Sequence, residues 1–247
     1  MPATSATRIP TVTRSMSAPA TRRTVRALLT CALFAAGLGL AAAQEKGKVN
    51  VEDLKIRAEA GDKGATRTLA ELYYLGREGV EQDFTEAARW YLKLAQRGDV
   101  RAQTTLGLMY FRGYGVQKDL QAALRWWSFA AAANDPGAQY NLGVAYENGY
   151  GVAQDYAQAV QWYTKAAERP PYHVQAQFNL GMLYHEGKGV AKDPVRAYFW
   201  VKVAALQGDE LAQDRLPKVA DGMSPAQVRE AEGRAEEWMK RLKKALK

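Results

Sequence analysis

The sequence predicts an all-α fold, a solenoid of antiparallel helix pairs closed by a C-terminal capping helix, on three observations. A pattern of about 36 residues recurs four times with a fifth, partial copy, which is the signature of a repeat array. The apolar positions within each copy fall at helical spacings in two successive blocks. Aspartates, prolines and glycines punctuate the copies where helices of that length would start and stop. With 47% hydrophobic and 10% aromatic residues in 247, the chain has enough apolar material to bury a core.

Residues 1–43 contain Arg8, Arg14, Arg22, Arg23 and Arg26 and no acid. From Thr21 onward, basic residues are followed by an apolar run from Ala27 to Leu40 and then by Ala41-Ala42-Ala43, the order of a signal peptide cleaved after Ala43. A run of about 14 apolar residues falls short of the roughly 20 that a membrane span needs, and no later stretch approaches that length. A periplasmic or secreted bacterial protein is therefore expected, with no stable membrane insertion after signal cleavage. Arg22-Arg23 leaves the general and twin-arginine export routes both open, and Met16 is an alternative start to Met1. The single cysteine, Cys31, lies in the apolar run, so the processed chain would have no disulfide and no thiolate metal site. Of 34 basic side chains five belong to this leader; the remaining 29 against 26 acids give +3, a balance that does not call for nucleic acid as a partner. Residues 44–60 read as an N-terminal linker and the start of the first helix.

The array itself spans 61–216. Alanine opens the copies at Ala65, Ala102, Ala138, Ala176 and Ala212, at spacings of 37, 36, 38 and 36. Leucine follows four residues later (Leu69, Leu106, Leu142, Leu180, Leu216), and then a small residue in the full copies (Ala70, Gly107, Gly143, Gly181). Tyr73, Tyr110, Tyr146 and Tyr184 come next, then glycines, Gly-Val, and the aspartates Asp83, Asp119, Asp155 and Asp193. The tryptophans Trp90, Trp126, Trp162 and Trp200 stand seven residues beyond.

Offsets 0, 4, 7 and 8 from the opening alanine share one face of a first helix and are expected to be its buried stripe. The small residue at offset 5 lets a neighbouring helix approach closely, and the tryptophan is expected to be core in the second helix. Asp135-Pro136 and Asp193-Pro194 set a carboxylate at an N-cap and proline at the first helical position. Asp83 with Glu86 and Asp155 with Gln158 have capping-box spacing. Gly98, Asn134 and Gly208 suit a left-handed helix end. Residues 209–220 read as an unpaired first helix. In 217–247, Ser224-Pro225-Ala226-Gln227 starts a capping helix over about 225–245, whose Val228, Ala231, Ala235, Trp238 and Leu242 should cover the last open face.

The pattern A-x-x-x-L-G-x-x-Y-x-x-G-x-G-V-x-x-D-x-x-x-A-x-x-W resembles the Sel1-like repeat, a relative of the tetratricopeptide repeat. The resemblance implies a right-handed superhelix of antiparallel helix pairs acting as an adaptor or scaffold. Copy one departs by one extra loop residue and by Ala70 in place of glycine. Pro170-Pro171-Tyr172-His173 adds two residues between copies three and four and removes a glycine cap.

No catalytic constellation is legible, and no enzyme, cofactor or metal role is expected. His173 and His185 lack a metal-binding spacing, and Gly113-Tyr114-Gly115 follows no strand, so turn formation explains it better than phosphate binding. In tetratricopeptide-like stacks the side of the first helix away from the core lines a concave surface. That places Tyr74, Leu108, Phe111, Arg112, Tyr140, Asn141, Val144, Phe178, Asn179, Met182 and His185 as candidates for binding a protein or peptide partner. Asn141 and Asn179 could hydrogen-bond a peptide backbone; alternatively, several of the candidates simply pack against the neighbouring helix. A monomeric, non-enzymatic adaptor is the leading expectation, and a regulator or enzyme of envelope or peptidoglycan metabolism the second. Polyanion binding through Lys240-Arg241-Lys243-Lys244-Lys247 is a third, against which the tail reads as the dipole-compensating end of a helix.

Overall fold

The computed structural model describes residues 49–170 and 172–245, so the expected signal peptide lies outside the described residues. Eleven α-helices are found among them and no strand. A short helix α1 (Val51–Glu59), from residues expected as linker and helix start, precedes four helix pairs. These are α2 (Lys63–Leu75) with α3 (Phe84–Gln96), α4 (Val100–Arg112) with α5 (Leu120–Ala132), α6 (Pro136–Asn148) with α7 (Tyr156–Glu168), and α8 (Val174–Glu186) with α9 (Pro194–Leu206). An unpaired α10 (Glu210–Ala220) and a long α11 (Pro225–Ala245) complete the chain. Each helix packs on its pair partner and on the next pair, which gives the solenoid read from the sequence.

Aspartate starts nearly every helix for a local reason. The side chains of Asp62, Asp83, Asp99, Asp119, Asp135, Asp155, Asp193 and Asp209 each accept a backbone N–H of the first helical turn. The capping boxes expected at Asp83 and Asp155 are made on one side only. Their carboxylates accept from the N–H of Glu86 and Gln158, but their own N–H groups turn back to the carbonyls of Tyr73 (2.9 Å) and Tyr146 (2.8 Å). Asp119 and Asp193 do the same to Tyr110 and Tyr184. The repeating Tyr and Asp are therefore tied together through the backbone, and the tie closes the loop within each pair. At α11 the box is complete: Gln227 N–H donates to Ser224 Oγ and Ser224 N–H to Gln227 Oε1.

The offset stripe is core as expected at offsets 0, 4 and 7, with Ala65, Leu69, Leu106, Met109, Leu142, Leu180 and Leu183 all essentially inaccessible, but at offset 8 only Tyr184 is buried and Tyr73, Tyr110 and Tyr146 are partly exposed. The tryptophan expectation needs correction. Trp90 and Trp200 are buried, but Trp126 and Trp162 are only half-buried. The ring that meets the small residue belongs to the next position instead: Trp127 (3% exposed), Tyr163 (0%) and, without a ring, Val201 (0%). A β-carbon on Gly143 would lie 2.5 Å from the Tyr163 ring, and one on Gly181 2.7 Å from Val201. Helix rotation explains the shift, because the glycine admits whichever side chain points along the line between the two axes.

The junction at residues 169–173 keeps the chain on course despite its two extra residues. Arg169 ends α7 in an extended conformation, and His173 N–H donates to Ala166 O at 2.9 Å. Asp99, Asp135 and Asp209 make the corresponding bond elsewhere. The capping helix differs from expectation in where it lies. α11 packs along α9, burying Ala231 and Ala235 and setting Trp238 against Phe199 and Trp200, and makes no comparable contact with α10. Leu211 on α10 stays 52% exposed, so the last open face is covered only in part.

Candidate functional site

The first helices α2, α4, α6 and α8 lie side by side. α6 and α8 approach each other directly, as no two second helices of neighbouring pairs do to the same extent, so at pairs three and four the first helices occupy the inner side of the stack. Six of the eleven candidates come together there. Leu108, Phe111 and Arg112 from α4 and Tyr140, Asn141 and Val144 from α6 line one cavity of about 160 Å³. Sequence reasoning missed three of its lining residues, Trp127, Ala145 and Tyr150. Trp127 of α5 forms the floor, and Tyr150 comes from the loop after α6. Phe111 holds both together, with ring centroids 5.6 Å from Trp127 and 5.4 Å from Tyr150. The Trp126-Trp127 doublet and an exposed tyrosine inside Gly149-Tyr150-Gly151 were the signals available for them.

The other five candidates lie elsewhere. Tyr74 is packed edge-on to Phe84 (5.4 Å) and Tyr91 (5.9 Å) in pair one. Phe178 and Met182 are partly buried against the core of pairs three and four, and His185 is half-buried in the last turn of α8. Asn179 is committed internally: its amide donates to the Tyr163 hydroxyl (3.0 Å), which donates to the Glu147 carboxylate (2.5 Å). Burial, and next the Glu147 charge, push the Tyr163 hydroxyl far above the ordinary phenol range, so it stays protonated.

Position 2 of each first helix has a role that repeat spacing alone does not reveal. In α2, α4 and α6 this residue, two after the opening alanine, reaches the N-cap residue of the next pair. Arg67 Nη2 donates to Asp99 Oδ2 at 2.6 Å, and Thr104 Oγ1 to Asp135 Oδ1 at 2.8 Å. At the third junction Tyr140 stacks on His173 with centroids 4.3 Å apart and planes 13° from parallel. Asp99 is nearly buried. Desolvation opposes its charge, but the Ala102 N–H, Arg67 and Lys63 outweigh it and hold the carboxyl below the usual range. Along the inner side these junctions therefore change from ion-paired between pairs one and two, through hydrogen-bonded between pairs two and three, to aromatic between pairs three and four.

His173 stands where the other junctions carry aspartate, and its Nδ1 accepts the Ala176 N–H at 3.4 Å. Burial lowers its pKa from 6.5, partly opposed by Asp135. A lowered histidine pKa means that the unfolded chain binds more protons, so this group's contribution is complete above pH 6.5 and is lost as pH falls toward the folded-state value. The thermal midpoint should thus fall from pH 7 to pH 5 more steeply in the native protein than in His173→Asp, whose carboxylate stays ionised over that range. Equal slopes would remove His173 from the cause.

Within the cavity, Arg112 is the only side chain charged at neutral pH, and no nucleophile stands beside a base. Among the described residues no cluster of His, Cys, Asp or Glu is placed to share a metal ion, and no helix is long and apolar enough to cross a membrane. The geometry suits non-covalent recognition of an apolar group next to an anion.

Comparison with known proteins assigns the array. The Sel1 repeat family model matches residues 65–99, 100–135, 136–170 and 174–209. The structure is similar to that of a Sel1 repeat protein from Oxalobacter formigenes, with TM-score 0.63 and 29% identity over 80% of this chain and 82% of that one. It is also similar to a protective antigen of uropathogenic Escherichia coli displaying an SLR fold, with TM-score 0.57 and 31% identity over 77% of this chain. This chain spans about half (49%) of the length of that antigen. No curated protein matches the sequence. With four consecutive repeats matched over more than half its length, the chain belongs to the Sel1 repeat family.

Proposed function

We propose that the protein is an exported, non-catalytic adaptor that holds a partner protein along the inner face of its first helices. Sel1 repeat proteins are typically protein-interaction scaffolds, and the leader pattern of residues 1–43 supports export. The observation that carries the reading is the strip of half-buried side chains on α4, α6 and α8, which differ from copy to copy while the core positions beneath them repeat. A face kept only for folding would repeat with the core; a variable apolar face suits a partner of irregular surface.

Photo-crosslinking in the native envelope tests it. A benzophenone side chain at Leu108 or Arg112 should give discrete adducts with one protein, and the same group at the exposed positions Arg125 and Gln161 of the second helices should not. Adducts confined to the second-helix positions would reject the groove.

A further inference from the structure

Resting on the groove reading above, we infer that the cavity between pairs two and three is an anchor site for an extended partner segment presenting one leucine- or phenylalanine-sized side chain with an aspartate or glutamate close to it. Three observations converge on this occupant.

The first is size. The cavity holds about 160 Å³ between Phe111, Trp127, Tyr140 and Val144. An apolar cavity of roughly 150 Å³ accommodates a single benzene ring, so one such side chain fills it and an indole does not. The neighbouring inner-face cavity between pairs one and two is lined by the charged side chains Arg67, Glu71, Asp99 and Arg101, of which Arg67 and Asp99 pair across the junction. An apolar anchor has only one of these two places to go.

The second is charge. Arg112 lies at the cavity edge, exposed, with its guanidinium 5.8 Å from the Phe111 ring centroid. Arg112 meets no carboxylate among the described residues, and unlike Arg101, which also meets none, it stands at the edge of an aromatic cavity. A guanidinium held beside aromatic walls and lacking an internal counter-ion is complementary to an incoming carboxylate.

The third is hydrogen bonding. The half-buried Asn141 amide lines the same cavity and makes no hydrogen bond among the described residues, whereas Asn179, one repeat on, is consumed by Tyr163. A free carboxamide offers donor and acceptor together, which is what one peptide unit of an extended chain presents in reverse. Phe178 and Met182 on α8, partly buried one pair on, offer further apolar surface on the first-helix side, so the segment is taken to pass through rather than end there. The carboxylate is therefore assigned to a side chain and not to a chain terminus.

Random dodecapeptides displayed within a phage coat protein, with no free carboxyl terminus, would be selected on the immobilised protein. Enriched sequences should share a Phe, Tyr or Leu with Asp or Glu within about three residues, the span of one extended groove contact. Arg112→Glu should weaken their binding about tenfold or more and redirect selection toward Lys and Arg. Val144→Trp, which fills the cavity, should abolish binding with the helical circular dichroism retained. Enriched peptides without an acidic residue, or unaffected by Arg112→Glu, overturn the anchor. If those peptides are lost in Phe178→Ala, the groove reading survives without it. Binding insensitive to every inner-face substitution, or no enrichment at all, overturns the anchor and the groove together.

Discussion

Trp127→Ala should lower stability by about 4 kcal/mol, clearly more than Trp126→Ala. The two tryptophans are adjacent and chemically identical, so the difference isolates environment. Trp127 is 3% exposed and lies over Gly107, whose missing β-carbon leaves room for the indole. Its Nε1 donates to Thr104 O at 3.2 Å, joining α5 to α4. Truncation opens a cavity between two helices that the glycine cannot fill. Trp126 is half-buried beside the exposed Phe129, with centroids 5.8 Å apart, and should lose only about 2 kcal/mol because part of its surface already meets water. Urea titration followed by far-ultraviolet circular dichroism measures both. An equal loss at the two positions would contradict the packing described.

Gly115→Ala should cost about 3 kcal/mol or more, while Gly233→Ala should stabilise by roughly 0.5–1 kcal/mol. Gly115 has φ +67°, and a β-carbon there would fall on the Phe84 carbonyl and lie 2.5 Å from the Thr85 N. Both are backbone atoms at the start of α3, so no side-chain rotation relieves the overlap. Gly233 lies inside α11 with nothing within 4 Å of the added carbon, so alanine there changes mainly the entropy of the unfolded chain and helix propensity. Thermal unfolding of the two variants should move the midpoint in opposite directions. A neutral Gly115→Ala would mean that pairs one and two do not meet at that loop.

Most of the fold was legible because the repeat multiplies weak signals. One aspartate before a helix is ambiguous, but Asp83, Asp119, Asp155 and Asp193 at the same offset leave little choice, and all four are N-caps. What the sequence did not disclose depends on how successive pairs are rotated against each other. Trp127 rather than Trp126 meets the glycine, and Tyr140 spends one face on His173 while Asn179 is taken by Tyr163. These are contacts between copies, and periodicity within a copy does not contain them. The placement of α11 along α9 escaped for the same reason, since its apolar stripe fits either neighbour. Asn141 and Asn179 are identical by offset, yet only the structure separates a free amide from an occupied one.

The tie from each N-cap amide to the preceding tyrosine carbonyl fixes the two ends of a loop and leaves its length open. Pair one shows this: Asp83 reaches Tyr73 as Asp119 reaches Tyr110, although its loop is one residue longer and Glu78 sits at φ +56°. A β-carbon on Gly79 would meet nothing within 4 Å, whereas one on its counterpart Gly115 would strike the pair before it. Chain length is therefore negotiable at the tip of the first loop and rigidly gauged in the next. A guest sequence grafted between Arg77 and Gly79 would ride on the end of the array, but the same graft at Tyr114 would act as a crowbar between two stacked units.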